Sequence, residues 1–345
     1  MKALVKLSYD PYDAELREIE DPIPGPGEVI VKVHAAGICG TDMKIYHGQY
    51  RPYNVPLVMG HELTGRIFAV GEGVEGLPLG TPVTSRTIVT QCGKCPLCLS
   101  GRENLCRAKT RIGFEYNGAF AQFIKLKQDQ IHVLPNDADL TAAVVTEIFA
   151  VVFHAIRTVA IKPAHRVLII GPGPIGLAAV MVAKAEGATV AVAGLAADSD
   201  RLAIAKEIGA DITILSNVDD DPGHKELLSI THGLGPDIVL ECSGTGGGIT
   251  YGLNLCRSGG RYVQIGTQSS QVTVDFMRVA YKEIEVSGSI GHTRLEWDDV
   301  IRFITRDQKR FYPLIKHVYS MDNWREALTA AEGRDAAKVV ILPNG

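Results

Sequence analysis

The chain has 345 residues, enough at roughly 150 residues per domain for about two domains that each bury a core. Hydrophobic residues make up 46% and charged residues 21%, a balance that excludes an intrinsically disordered chain. Lys and Arg total 35 against 39 for Asp and Glu, a net charge of −4, so the composition does not favour binding to nucleic acid or an anionic membrane.

The sequence pattern of the first ~145 residues predicts a β-rich region. Short apolar runs at 28–33, 63–70 and 120–125 are separated by Pro and Gly, as in PIPGPGE. The N-terminal MKALVKLSYD lacks the uninterrupted apolar core of a secretory signal, which predicts a cytoplasmic protein.

From about residue 151, strands alternate with helical patterns, which indicates βαβ units in a parallel sheet. The predicted strands are 167–170, 189–193, 237–241, 261–265 and 285–289, with helices at 175–186 and 201–208. Helices at 297–306 and 323–331 and a strand at 338–342 follow. The simplest partition is a central nucleotide-binding fold flanked by two pieces of another domain.

Four of the seven cysteines fall within 15 positions, as Cys92-x2-Cys95-x2-Cys98-x7-Cys106. Four thiolates can close a tetrahedron around one zinc ion, which predicts a structural zinc site. Unrelated buried cysteines explain the spacing poorly. An iron–sulfur cluster is the rival metal site, but its common bacterial run places the fourth cysteine three residues on, before a proline.

A second set of candidate ligands is dispersed: Cys39 in GICGTD, His61 and Glu62 in GHE, and Glu147 in TEIFAVVFHA. A thiolate, an imidazole and a carboxylate are competent zinc ligands, and three of them leave a fourth position for water or substrate. Taken singly, each residue has a structural explanation as a core or solvated side chain.

Gly171-x-Gly173-x-x-Gly176 follows an apolar strand and opens a helix near Pro174, a context typical of dinucleotide binding. A tight βα turn without a ligand is the alternative. Gly194 stands where an acid for the ribose hydroxyls is expected, and Asp198 comes four residues later. Ser199 and Arg201 are candidates for holding a 2′-phosphate, so NAD and NADP both stay open.

GHE, the four-cysteine segment and GPGPIG together resemble the zinc-dependent medium-chain dehydrogenase/reductase (alcohol dehydrogenase) family, and most of all its sorbitol/polyol and threonine dehydrogenase-like branch. The resemblance runs end to end. It implies an α/β fold: a GroES-like β-rich catalytic domain at 1–148 and 290–345, with a structural zinc lobe at about 90–108, and a Rossmann doubly wound parallel-sheet domain at 149–289. The active site would lie in the cleft between the domains.

The resemblance also implies roles for particular residues. Cys39, His61 and Glu147 match the catalytic-zinc positions, with Glu62 as an alternate ligand or a residue beside the metal, and Thr41 matches a proton-relaying hydroxyl. Positions matched to the cofactor are Gly171, Gly173, Pro174, Ile175, Gly176, Gly194, Ser199, Arg201, Ser243, Gly266, Thr267, Ser289 and Ile290.

The implied activity is hydride transfer that interconverts a secondary alcohol, a polyol above all, and its ketone with NAD or NADP, with two zinc ions per chain. A homodimer or homotetramer is implied as well. Lys44 replaces the histidine that many relatives use as the outer proton relay, and Ile148 replaces a proline after the third ligand.

The substrate is less defined. Candidates for lining its site are Tyr46, His47, Phe114, Glu115 and His292, and a phosphorylated polyol would need a basic clamp drawn from Lys44, Arg51 and Arg294. The alternatives are an NADPH-dependent aldehyde or ketone reductase, a dehydrogenase of a phosphorylated polyol, and a non-catalytic nucleotide-binding zinc protein. Zinc-free quinone reduction would lack both sets of zinc ligands.

Overall fold

A computed structural model describes residues 1–268, 271–335 and 337–345. The chain divides into two compact units, one formed by Met1–Glu147 with Thr293–Gly345 and the other by Ile148–His292. The partition expected from the sequence placed these boundaries after residue 148 and before residue 290.

The first unit is built mainly of strands. They are β1 (Lys2–Lys6), β2 (Ala14–Glu18), β3 (Glu28–Gly37), β4 (Leu57–Val58), β5 (Glu62–Val70), β6 (Pro82–Ser85), β7 (Ile88–Thr90), β8 (Thr110–Arg111), β9 (Phe123–Lys127), β10 (Ile131–Val133), β17 (Ile315–Ser320) and β18 (Lys338–Leu342). The main sheet has the order β10-β6-β5-β3-β18-β17, and β9 also pairs with β3. Strand β3 therefore lies at the centre of this unit.

Alternation of apolar and polar residues explains the position of β3. Val31, Val33 and Ala35 are fully buried, whereas Lys32 and His34 between them are exposed. The helices of this unit are short: α1 (Gly40–Tyr46), α2 (Pro96–Leu99), α9 (Trp297–Thr305) and α10 (Trp324–Glu332). The helix α3 (Thr146–Arg157) begins at the end of the first segment of this unit.

The second unit has a parallel sheet of six strands in the order β13-β12-β11-β14-β15-β16. The strands are β11 (Arg166–Ile170), β12 (Thr189–Gly194), β13 (Ile212–Leu215), β14 (Ile238–Glu241), β15 (Arg261–Gln264) and β16 (Glu285–Gly288). The helices are α4 (Pro174–Ala185), α5 (Ser199–Glu207), α6 (Pro222–Ile230), α7 (Gly246–Leu255) and α8 (Met277–Lys282). This order and the parallel pairing define a Rossmann sheet, with its crevice at the carboxyl ends of β11 and β14.

Three local differences from the sequence-based expectations have physical causes. The strand expected at 120–125 begins only at Phe123, because Phe120 and Ala121 pair instead with the backbone of Met59 and β1. Strand β13 is only four residues long, too short for a clear periodic signal. Helix α7 starts with Gly246–Gly248, which gives no helical propensity.

Among the residues that the structure describes, no helix is both long and apolar enough to cross a membrane.

Candidate metal centres and cofactor site

Three of the four dispersed candidate ligands, Cys39, His61 and Glu62, meet where β3 ends beside the start of β5. These strands pair antiparallel with Gly37 opposite Glu62, so Cys39, just beyond β3, comes next to His61. One ligand atom each from Cys39, His61 and Glu62 lie within 4.8 Å of one another. A soft thiol, an imidazole and a carboxylate at such distances are a donor set that fits zinc.

Asp42 supports two of these ligands from a fully buried position. Its Oδ2 accepts a hydrogen bond from the Cys39 backbone N–H at 2.8 Å and so caps α1, while Oδ1 lies 3.4 Å from His61 Nδ1. An acid behind a histidine fixes the ring orientation of a metal ligand. Sequence reasoning missed Asp42, although its position three residues after Cys39 is the spacing of a capping box.

Lys338 is a second residue that sequence reasoning missed. Strand β18 pairs with β3 so that Val340 lies opposite Gly37, and this register carries Lys338 to the candidate site. The buried ammonium donates to Glu62 Oε1 at 2.7 Å and to the Ile38 carbonyl at 3.2 Å. The signal in the sequence is a lysine heading an apolar strand, because a lysine buried there needs an anionic partner.

Glu147, the predicted third ligand, lies in the first turn of α3. Its removal from solvent and the neighbouring Glu62 carboxylate raise the pKa of Glu147 to about 7. Burial lowers the pKa of His61, but the charges of Asp42 and Cys39 more than offset this, and the pKa of His61 lies well above its ordinary value. The shift of His61 reflects the negative charges beside it, whereas that of Glu147 reflects burial first and the Glu62 carboxylate second. A bound cation would stabilise the charged form of both carboxylates.

Packing around His61 depends on a glycine. Gly60 has φ +90°, and a Cβ there would lie 2.6 Å from the Phe120 ring, so the turn before His61 needs glycine. The Phe114 ring centroid lies 5.2 Å from that of His61, and the Arg111 guanidinium lies 4.1 Å from the centre of Phe114. Phe114, a predicted substrate contact, thus lies beside a candidate ligand.

The other residues suggested for proton relay or substrate binding are placed as follows. Thr41 lies on α1 with its Oγ1 3.8 Å from Cys39 Sγ. Glu115 forms an ion pair with Arg111 at 3.0 Å. Tyr46 packs edge-on against Trp324, and His47 Nε2 lies 2.7 Å from Glu332 Oε1, so both contact α10.

The four clustered cysteines converge on one point, as expected. Ligand sulfurs of Cys92, Cys95, Cys98 and Cys106 lie within 4.8 Å of one another. The backbone N–H groups of Cys95 and Cys98 point at the sulfurs of Cys92 and Cys95, at 3.3 and 3.4 Å. Backbone hydrogen bonds lower the pKa of Cys92 to about 6, whereas burial and then the neighbouring cysteines raise the pKa of Cys98. The cluster fits a structural zinc ion with four sulfur ligands.

The glycine-rich turn joins β11 to α4 at the crevice of the Rossmann sheet. Gly173 is the N-cap of α4 and Pro174 its first residue, so the amides of Ile175 and Gly176 stand at the helix N-terminus. Apart from the two neighbours of Gly173 in the chain, no described residue has a heavy atom within 4 Å of the position that a Cβ of Gly173 would take. This open space over a helix N-terminus fits a pyrophosphate.

At the end of β12, the structure shows which groups lie where an acid for the ribose hydroxyls was expected. Gly194 is the last residue of the strand, and Asp198 Oδ2 accepts from the Leu195 N–H at 2.9 Å. A Cβ on Gly194 would lie 3.0 Å from Pro172 and 3.3 Å from Asp198. The Asp198 side chain therefore lies beside the position where the acid was expected. Ser199 and Arg201 follow in α5.

The remaining cofactor candidates lie beyond the carboxyl ends of β14, β15 and β16. Ser243 follows β14, Gly266 and Thr267 follow β15, and Ser289 and Ile290 follow β16. The buried Ser289 Oγ has no hydrogen-bond partner among the described residues, so a donor or acceptor of a ligand could satisfy it. His292 is buried at the end of this unit.

Comparison with known proteins agrees with this architecture. Residues 25–136 match the family described as the alcohol dehydrogenase GroES-like domain, and residues 174–306 match the zinc-binding dehydrogenase family. A sorbitol dehydrogenase from Halalkalibacterium halodurans is 38% identical over 99% of each chain. A D-arabitol-phosphate dehydrogenase from Enterococcus avium is 33% identical over 92% of this chain and 90% of that protein. An L-threonine 3-dehydrogenase from Pyrococcus horikoshii is 34% identical over 96% of this chain and 95% of its own length.

Solved structures agree as well. An alcohol dehydrogenase from Escherichia coli CFT073 in complex with NADH has a TM-score of 0.89 at 28% identity, covering 99% of both chains. A zinc-binding dehydrogenase from Sinorhizobium meliloti bound to NADP has the same score, identity and coverage. Galactitol-1-phosphate dehydrogenase from Escherichia coli has a TM-score of 0.89 at 27% identity, over 99% of this chain and 100% of that one.

A GroES-like unit, a Rossmann unit and two sets of zinc-type ligands define a dehydrogenase. The chain belongs to the zinc-dependent medium-chain dehydrogenase/reductase family, the alcohol dehydrogenases. The predicted family, fold class and enzyme class are thereby confirmed.

Proposed function

We propose that the protein is a zinc-dependent NAD(P) oxidoreductase that interconverts a secondary alcohol of a polyol and its ketone. One observation supports the proposal above all: ligand atoms of Cys39, His61 and Glu62 lie within 4.8 Å of one another. Asp42 lies behind this group, with its Oδ1 3.4 Å from His61 Nδ1. A non-catalytic zinc protein has no need of a second metal site with three ligands beside a closed four-sulfur cluster.

A zinc ion at these ligands would supply a Lewis acid, and a nicotinamide cofactor would supply the hydride acceptor. The chain's own residues prepare that chemistry. Asp42 Oδ1 lies 3.4 Å from Nδ1 of the His61 ring, and Lys338 donates a hydrogen bond to the carboxylate of Glu62. We expect Thr41, whose Oγ1 lies 3.8 Å from Cys39 Sγ, to accept the proton of a substrate hydroxyl while passing on its own.

The assignment of Glu147 as third ligand and Glu62 as alternate ligand is part of the proposal. Two carboxylates share one small region, and Lys338 pairs with Glu62. A carboxylate that already has a cation partner is the weaker candidate for a permanent ligand, which leaves that place to Glu147.

For the substrate we propose an unphosphorylated polyol. The sorbitol dehydrogenase relative supports this choice, whereas the arabitol-phosphate and galactitol-1-phosphate relatives support the phosphorylated alternative. The three basic residues suggested for a phosphate clamp lie on different segments: Lys44 is on α1, Arg51 stacks on Tyr9, and Arg294 follows a buried threonine ahead of α9. Three basic side chains on separate segments do not by themselves form a phosphate-binding site.

The test is a panel of sugar alcohols, their phosphates and L-threonine, assayed with NAD and with NADP by the absorbance of the reduced cofactor. We expect the highest kcat/KM with an unphosphorylated polyol. A higher value for a phosphorylated polyol or for L-threonine would contradict the substrate class, while the dehydrogenase assignment would stand.

Paired cysteine variants give the matched control. Cys39→Ser should abolish turnover, because it replaces the thiolate of the candidate catalytic site. Cys256→Ser alters a fully buried cysteine of the second unit and should leave most of the activity. Equal activity in the two variants would contradict the metal site.

We propose that the protein uses both NAD and NADP, with NAD preferred. We also propose that it forms a homodimer or homotetramer. The relatives solved with NADH and with NADP support the open cofactor choice. Sedimentation equilibrium tests the oligomeric state.

A further inference from the structure

A carboxylate lies fully buried at the carboxyl end of β14, directly below the cofactor candidates. Glu241 has no solvent exposure. Its Oε1 accepts hydrogen bonds from the backbone N–H of Ser243 at 2.9 Å and from the Ser243 hydroxyl. Its Oε2 accepts from the Gly244 N–H at 2.9 Å and from Gln264 Nε2 at 2.6 Å. Four donors satisfy both oxygens of a carboxylate.

These bonds join two loops that are far apart in sequence. Ser243 and Gly244 belong to the β14–α7 loop, whereas Gln264 ends β15. The amide of Gln264 also donates to the Gly266 carbonyl at 2.9 Å, and the Gly266 N–H donates to the Glu241 carbonyl at 2.8 Å. One buried side chain thus fixes the backbone of two neighbouring loops, at the carboxyl ends of β14 and β15, which form one side of the Rossmann crevice.

The β14–α7 loop is also packed against the glycine-rich turn and against the loop after β15. Gly171 has φ +91°, and a Cβ there would lie 2.9 Å from the Cβ of Ser243. A Cβ on Gly244 would lie 2.9 Å from the backbone of Thr267. A shift of the β14–α7 loop by even an ångström would therefore close or open the space that the cofactor candidates surround.

We propose that Glu241 is a positioning residue for the dinucleotide site: it holds the loops carrying Ser243, Gly266 and Thr267 in the geometry that binds the cofactor. The proposal rests on the proposed function. Glu241 itself lies beneath the loops and acts through them.

Glu241→Gln isolates this role because it keeps the shape of the side chain. The glutamine amide replaces one of the two acceptor oxygens with an NH2 group. The two donors that bonded to that oxygen then face a donor instead of an acceptor. The loops must then move, although no cavity is created. We expect the Kd for NADH, followed by nicotinamide fluorescence, to rise by about tenfold or more.

The matched control is Thr231→Val. Thr231 is equally buried in the same unit, and its hydroxyl donates to the Leu227 carbonyl and accepts from the Gly235 N–H, in the connection that leads to the amino end of β14. It should lower the melting temperature yet change the Kd for NADH less than about twofold. Zinc content should be unchanged in both variants.

A second variant, Gln264→Leu, covers the case in which Glu241→Gln does not fold. It removes only the donor from β15, and it should raise the Kd by about threefold. An unchanged Kd in a folded Glu241→Gln or Gln264→Leu protein would overturn the proposal, as would an equal rise in Thr231→Val. A wild-type protein that binds neither NADH nor NADPH would instead overturn the proposed function.

Discussion

At the scale of single residues, we expect the buried ion pair of Lys338 and Glu62 to have a large effect on the free energy of unfolding. Burial lowers the pKa of Lys338, but the charges of Glu62 and Cys39 more than offset it, so the pKa is raised and the ammonium stays charged. Removing one member of such a pair leaves the other charge buried and unpaired.

Lys338→Met should therefore lower the free energy of unfolding by about 3–5 kcal/mol, measured by urea denaturation. Lys338→Arg keeps the charge and should lose less. The double variant Lys338→Met with Glu62→Gln should be more stable than Lys338→Met alone, because no unpaired charge is left. If the single and double variants lose the same stability, the buried ion pair does not govern the effect.

His132 gives the fold a dependence on pH. Its ring stacks on Trp297 with centroids 4.9 Å apart, and Asp298, Arg86 and Arg294 are the charged groups around it. Burial lowers the pKa of His132 to about 4, and Asp298 only partly opposes this shift. The unfolded chain, with a histidine pKa near 6.5, binds the proton more readily.

Since the pKa is lower in the folded state, the contribution of His132 to stability is complete above about pH 6.5 and is lost as the pH falls toward 4. The full loss is about 3 kcal/mol. Urea unfolding at pH 7.5 and pH 4.5 should show a smaller acid-induced loss for His132→Gln than for the wild type. Identical losses would show that His132 does not titrate on unfolding.

At the scale of elements, we expect the end of β12 to decide the cofactor preference. Gly194→Asp adds a negative charge near the predicted 2′-phosphate and should lower kcat/KM for NADP more than for NAD. Gly194→Ala is the steric control, since any Cβ there lies 3.0 Å from Pro172. The backbone is not an obstacle, because the φ angle of Gly194 is not in the left-handed region.

Two results would contradict the electrostatic explanation. One is a loss with both cofactors in the same proportion in the Ala and Asp variants. The other is a thousand-fold preference for NAD in the wild type, which would show that another group, with Asp198 the first candidate, already excludes the phosphate.

Elements with a strong local pattern could be predicted from the sequence. The alternation in β3, the apolar run of β11 and the helical spacing of α4 gave positions within a few residues, because each pattern reports burial directly. The register that brings Lys338 to Glu62 could not be predicted, since it depends on pairing between β18 and β3 across 300 residues. The same holds for Gln264 and Glu241, which meet only once β14 and β15 are neighbours.

At the scale of the whole molecule, the order of the units along the chain is predicted from a change in the local sequence pattern. A change from short strands with Pro and Gly to alternating strands and helices marks the start of the Rossmann unit. The spacing of Cys39, His61 and Glu62 in the sequence does not predict that they meet, because their proximity depends on the pairing of two separate strands. The family resemblance supplied that prediction.

Stepwise removal of metal tests the central claim, zinc-dependent hydride transfer, most directly. The four-sulfur site is closed and the Cys39 site keeps an exchangeable position, so the two should differ in lability. We predict two zinc ions per chain by metal analysis, with mild chelation releasing one and abolishing polyol-dependent reduction of the cofactor, and added zinc restoring it. A single zinc ion per chain, or full activity after the first ion has left, would contradict the account.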